Sequence, residues 1–262
     1  MKSLDELSAY EARALRGILF DLDDTFLSHG LLTQGAYSAL WNLRDAGLKL
    51  VVVTGRPCAW GEVITRQWPI DAAVVENGNV VVMREAGGIA RRDRCSVDER
   101  RSHRIRLAGL ASQVRSVVPE ARLSDDVEGR LSDLTWDIGE RVKLPSDRIE
   151  IIVREIAAAG ARSTRSSVHL HATFDAYDKA TGTLDYLATL GESADAAKTS
   201  YAFVGDSTND AACFSSFITT FGVANVADVV SQLPTAPAYI SPSPMGAGFS
   251  EIAAAVIRLR QK

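Results

Sequence analysis

Short apolar runs that stop abruptly on polar clusters set the rhythm of this chain. Gly17-Ile18-Leu19-Phe20 shows no alternation of polar and apolar positions, as a strand covered on both faces requires, and it ends at Asp21-Leu22-Asp23-Asp24-Thr25. Thr33 can cap a helix that carries Tyr37, Leu40 and Leu43 and stops near Gly47. Leu48 to Val53 is a second apolar strand, closed by Thr54-Gly55-Arg56. A helix over roughly Ala59 to Gln67 then leads past Pro69 to a third strand, Ala72 to Val75, followed by Glu76-Asn77-Gly78-Asn79. Strand, helix, strand, helix, strand predicts a parallel sheet.

The pattern changes after Met83. Arg84 to Arg106 is dense in arginine, and a less regular mixture follows up to about Ala176. Leu131 to Trp136 and Val168 to Phe174 alternate as strands of a half-exposed antiparallel sheet do. The parallel pattern returns with a helix over Lys179 to Leu190, a strand over Tyr201 to Val204 ending in Gly205-Asp206-Ser207-Thr208-Asn209-Asp210, shorter strands near 218–223 and 238–240, and an amphipathic helix over Phe249 to Leu259. The expected architecture is a doubly wound, Rossmann-like α/β core from residues 1–83 and 177–262, with an α+β cap inserted at 84–176.

Composition narrows the function classes. The chain of 262 residues is 46% hydrophobic and 24% charged with a net charge of -4, an ordinary globular balance that points away from nucleic-acid coats and polybasic membrane binders. Cys58, Cys95 and Cys213 are widely separated, so neither a disulfide framework nor a zinc motif is indicated by spacing. The absence of a secretory leader or a long apolar run leads to the expectation of a cytoplasmic protein.

The chemistry concentrates at strand ends. Carboxyl ends of parallel strands face one crevice, so Asp21, Asp23, Thr54, Lys179, Asp206 and Asp210 can converge despite their separation in sequence. Side chains two apart on an extended segment point the same way, which lets Asp21 and Asp23 address one site. Such an all-oxygen set calls for a cation and suits Mg²⁺. One carboxylate can then attack phosphorus while the other handles the leaving-group proton, with Thr54 and Lys179 stabilising the phosphoryl oxygens.

These four clusters resemble, in order, the motifs of the haloacid dehalogenase-like hydrolase superfamily. The insertion after the Glu-Asn-Gly loop resembles its type IIB, C2-capped branch, which includes Cof-type and sugar-phosphate phosphatases. The resemblance implies that Asp21 is nucleophile and metal ligand. It implies that Asp23 is the acid/base and offers its backbone carbonyl to the metal, that Asp206 completes the protein ligands, and that Asp210 supports metal-bound water. Thr54 and Lys179 hold the phosphate. Asp24 and Ala180 stand where glycine is frequent in the branch. The presence of Asp23 favours phosphate chemistry over dehalogenation.

The expected activity is Mg²⁺-dependent hydrolysis of a small phosphorylated metabolite, a sugar phosphate by family resemblance, through a phospho-aspartate. A phosphomutase with the same core, or a non-catalytic phosphometabolite-binding regulator, is the alternative. Arg56, Asn77 and Asn209 sit on crevice loops as candidates for orienting substrate or loops. His169 and His171 share one face of a strand, where a surface or packing role is the simpler reading and a substrate hydrogen bond from His171 the sharper one. Arg91 to Arg106 reads as a solvated helix face. Trp60, Trp68 and Trp136 read as packing residues.

Overall fold

A computed structural model describes residues 1–166 and 168–261. After β1 (Lys2–Ser3) and α1 (Ala9–Ala14), the chain runs β2 (Gly17–Phe20), α2 (Gln34–Asp45), β3 (Lys49–Val53), α3 (Cys58–Gln67) and β4 (Ala72–Val75). A hairpin follows, β5 (Val80–Glu85) and β6 (Gly88–Asp93). Next come α4 (Val97–Val117), β7 (Arg122–Leu123), β8 (Asp133–Asp137), α5 (Ser146–Ala158), β9 (Arg162–Arg165) and β10 (His169–Thr173). The chain then returns through α6 (Lys179–Thr189), α7 (Ala194–Ser200), β11 (Tyr201–Gly205), α8 (Ala211–Ser216), β12 (Thr219–Gly222), β13 (Tyr239–Ile240) and α9 (Met245–Arg260).

The main sheet has nine strands in the order β1-β13-β12-β11-β2-β3-β4-β5-β6. Pairing is parallel from β1 to β4 and antiparallel across β4, β5 and β6. Successive strand residues face opposite sides, and the core divides accordingly. Ile18, Phe20, Leu50 and Val52 pack with Leu40, Leu43, Phe249 and Ile252 from α2 and α9. Leu19, Val51 and Val53 pack with Tyr186, Leu187, Cys213 and Phe214 from α6 and α8. Helices on both faces make the sheet doubly wound, which is why β2 and β4 are apolar at every position and β3 is apolar after Lys49.

From β2 the chain winds outward through β3 and β4, then returns to lay β11 on the other side of β2 before continuing to β12 and β13. The winding direction therefore reverses between β2 and β11, and the crevice of an open α/β sheet forms at such a reversal. Asp21 and Asp206 follow these two strands.

A second sheet, β7-β8-β10-β9, is antiparallel and packs on α4 and α5 through Leu107, Leu110, Trp136, Ile149, Ile152 and Leu170. Its separate cluster makes the segment from α4 to β10, the insert, a packing unit of its own. The expected boundary at residue 84 needs correction, because β5 and β6 extend the main sheet through Asp93. The arginines that obscure β6 lie on its exposed edge, where charge blocks pairing with a further strand. Arg91 to Arg106 is consequently an edge strand followed by a helix rather than one helical face.

Candidate active site

Asp21 follows the last residue of β2 and is fixed by its own N–H, which donates to Val204 O at 3.0 Å. Lys179 is the first residue of α6, whose N-cap Asp178 accepts from Thr181 N at 2.8 Å. From there the Lys179 ammonium donates to Asp21 Oδ1 at 2.8 Å and Asp210 Oδ1 at 2.7 Å. The other Asp210 oxygen accepts from the N–H groups of Asp206 and Ser207 at 3.0 and 3.1 Å, tightening the turn after β11. Asp206 accepts from Thr25 Oγ1 at 2.7 Å and from Asn225 Nδ2 at 2.9 Å.

The three carboxylates of Asp21, Asp206 and Asp210 are all buried and offer oxygens within 4.8 Å of one another. Such crowding has electrostatic consequences. Burial pushes the Asp21 carboxyl up to about 7; Lys179 opposes the rise, and the charges of Asp210 and Asp23 add to it. Burial, reinforced by Asp210 and Asp21, holds Asp206 well above the usual range. Burial would lower Lys179, but Asp21 and Asp210 outweigh it and hold the ammonium well above its ordinary value. With one lysine facing three carboxylates, the group fits a divalent cation, and its oxygen donors suit Mg²⁺.

The carboxylate of Asp23 stands apart from this cluster. Its two oxygens accept from Arg56 Nε and Nη2 at 2.8 and 2.7 Å, a fork-to-fork pair. The Arg56 guanidinium also lies over the Trp60 ring, 4.7 Å from its centroid. Arg56, a substrate candidate on sequence grounds, is thus engaged as the orienting partner of Asp23. Thr54 is fully buried, and its hydroxyl accepts from Arg56 N at 3.1 Å, so it shapes the loop that presents Gly55 and Arg56.

Asn209 and His171 both line the narrow cleft beside Asp21 and Asp23. Asn209 Oδ1 accepts from Ser207 Oγ at 2.7 Å. His171 approaches Gly55 so closely that a β-carbon there would lie 3.3 Å from the imidazole ring. Its Nδ1 is 2.8 Å from Asp133 Oδ2 and 3.0 Å from Thr135 Oγ1. Burial holds its pKa below the ordinary value, with Asp133 opposing. Neither histidine is a surface residue: both are buried, His169 also lines the cleft, and its Nε2 is 2.9 Å from Glu140 Oε2.

Four further residues take part, of which Asp133 and Asn225 carried no signal in the sequence. Asp133 is buried against Arg130 and His171, and it falls to about 2 because the Arg130 charge and the His171 hydrogen bond overcome the cost of burial. Arg130 is fully buried and donates to Gly55 O at 2.9 Å, tying the insert to the loop after β3. Glu76 reaches across the same gap and accepts from Cys58 N, Leu131 N, Ser132 N and Ser132 Oγ at 2.9, 2.9, 2.6 and 2.6 Å. Asn225 joins Asp206 to the backbone of Asp24. The Glu76-Asn77-Gly78 loop stood out in the sequence as a loop at the crevice.

The family model described as haloacid dehalogenase-like hydrolase matches residues 18–100, which include Asp21, Asp23, Thr54 and Arg56. The match covers the first part of the chain, from β2 to the start of α4. Solved structures share the fold of this chain over nearly its whole length. A Thermoplasma acidophilum protein superposes with a TM-score of 0.73 at 16% identity, covering 94% of this chain and 99% of its own. Sucrose-phosphatase from Synechocystis sp. PCC6803, solved with sucrose and phosphate, gives 0.68 at 17% identity, covering 92% and 98%. A phosphatase of the haloalkanoate enzyme superfamily from Bacteroides thetaiotaomicron gives 0.63 at 15%, covering 93% and 96%. A search of curated proteins finds no match. Among the described residues, no helix is long and apolar enough to cross a membrane.

Proposed function

We propose that this hydrolase is a phosphatase that removes phosphate from a small phosphorylated metabolite, a sugar phosphate being the favoured class, through a phospho-aspartate on Asp21. The observation that carries the reading is the convergence of Asp21, Lys179 and Asp206 at the reversal point of the sheet, with Asp23 held beside them by Arg56. Asp21 and Asp206, supported by Asp210, would hold Mg²⁺, which supplies positive charge against the phosphoryl oxygens.

The chain's own residues account for the remaining steps. Lys179 holds one oxygen of Asp21, leaving the other to attack phosphorus as the bond to the leaving oxygen breaks. Asp23 gives that oxygen a proton, then takes one from the water that cleaves the phospho-aspartate, restoring both carboxyl groups. Arg56 fixes the direction of this transfer. The insert closes the cleft with His171 and His169, excluding water and selecting the leaving group. The reading is supported further by sucrose-phosphatase having the same fold at comparable length.

The test is release of inorganic phosphate from a panel of phosphorylated metabolites in Mg²⁺, with the phosphoenzyme trapped by rapid quench. Phosphate release from at least one sugar phosphate, with label on Asp21, is expected. Turnover without any phosphoenzyme, or no release across the panel, would sink the reading.

A further inference from the structure

A second group of ligating side chains lies where the chain crosses between the main sheet and the insert. Cys95 stands in the outgoing linker after β6, His103 near the start of α4, and Asp175 in the returning linker after β10. Cys95 Sγ is 3.2 Å from Asp175 Oδ1 and 3.9 Å from His103 Nδ1, and His103 Nδ1 is 2.8 Å from the same Asp175 oxygen. In a tetrahedral zinc site with one sulfur, one nitrogen and one oxygen ligand, bond lengths of about 2.0 to 2.3 Å separate the donors by roughly 3.3 to 3.6 Å. All three observed separations fall within about half an ångström of that range.

We propose that Cys95, His103 and Asp175 bind one Zn²⁺ ion, with its fourth position open to water. The surroundings suit it. Asp175 is buried, whereas Cys95 and His103 are partly exposed and give the ion a way in. The second Asp175 oxygen accepts from Arg100 Nη2 at 2.7 Å, and Arg100 is itself gripped by Asp93 at 2.7 and 2.6 Å. This outer shell fixes the carboxylate so that Oδ1 faces the thiol and the imidazole.

Charge balances as well. A thiolate and Asp175 offset the two charges of the ion, while Asp93 offsets Arg100. A sulfur and a nitrogen donor select zinc over magnesium, which distinguishes this group from the all-carboxylate cluster at the cleft. On binding, the proton that Cys95 now donates to Asp175 leaves to solvent and a sulfur–zinc bond replaces it. Because the ligands come from both linkers and from α4, the ion staples the two crossings together at the root of the insert.

The test uses the full chain, stripped with a chelator and equilibrated at nanomolar free Zn²⁺ set by a metal buffer, with excess Mg²⁺ present. About one zinc per chain is expected in the wild type and in Asp21→Asn, and less than about a tenth of that in Cys95→Ala and His103→Gln. Cobalt in place of zinc should give a thiolate-to-metal charge-transfer absorption that Cys95→Ala lacks. Circular dichroism establishes that the variants fold, and zinc protection of Cys95 against alkylation in the wild type provides a readout that needs no variant. Failure of the wild type to hold zinc, full zinc occupancy in folded Cys95→Ala, a cobalt complex without the thiolate band, or alkylation of Cys95 unaffected by zinc would each overturn the proposal.

Discussion

Asp21 and Asp23 are two residues apart, yet they live in different electrostatic settings: one faces a lysine and two further carboxylates, the other an arginine fork. Their substitutions should therefore separate. Asp21→Asn keeps the shape and removes the proposed nucleophile, so kcat should fall by about a thousandfold or more while the fold persists, and removing Mg²⁺ with a chelator should have a comparable effect. Arg56→Ala leaves Asp23 in place but unoriented, and a fall of roughly 10- to 100-fold in kcat is expected for alkyl phosphates, whose leaving oxygen needs the proton. The loss should be markedly smaller for p-nitrophenyl phosphate, whose leaving group departs without help. Equal losses on both substrates would show that Arg56 acts on something other than proton transfer. Asp24 fits the same local logic: its φ of 56° is a conformation that favours glycine, and aspartate is among the few side chains that tolerate it.

At the scale of elements, the placement of Lys179 depends on how closely α6 approaches the loop after β4. A β-carbon on Gly78, whose φ is +105°, would lie 2.0 Å from Asp178 O, and one on Gly182 would lie 2.3 Å from Gly78 O. Backbone meets backbone there, so neither contact can relax by moving a flexible side chain. Gly182→Ala should destabilise the protein by about 1 to 3 kcal/mol and, by pushing α6 outward, lower kcat as Lys179 leaves Asp21. Gly109→Ala provides the contrast. Gly109 lies inside α4 with nothing within 4 Å of the added carbon, and the same change should stabilise by roughly 0.5 to 1 kcal/mol through helix propensity. Thermal melts and steady-state kinetics on the two variants check both signs.

For the molecule as a whole, the insert and the main sheet meet through buried charge rather than through a shared apolar core. Glu76 accepts from the backbone of Leu131 and Ser132, and Arg130 reaches back to Gly55 while paired with Asp133. Such an interface is sensitive to acid. The folded pKa of Asp133, about 2, lies below its unfolded value, so its contribution is complete above that unfolded value and disappears as pH falls through the folded one. The Tm gap between wild type and Asp133→Asn should accordingly be widest above about pH 4 and close as pH falls toward 2. A gap that stayed constant through this window would mean that Asp133 contributes packing and no charge.

The sequence by itself determined the central strands, the helices between them and the carboxylates at the strand ends, because each signal is local. A strand buried on both faces has to be apolar throughout, and the polar cluster that follows marks where burial stops. Thr33, for example, caps α2 as its position suggests. Only the tertiary structure decided that β6 belongs to the main sheet, since an edge strand rich in arginine carries no apolar period and is recruited by pairing with β5. It also decided that Arg56 serves Asp23, that Glu76 and Arg130 bridge to the insert, and that His171 faces the cleft. These partners lie 33, 55, 75 and 116 residues apart respectively, from Arg56 to Asp23, Glu76 to Leu131, Arg130 to Gly55, and His171 to Gly55. At such separations no periodicity links two residues, and a charged side chain becomes a structural group only when the fold removes water from around it.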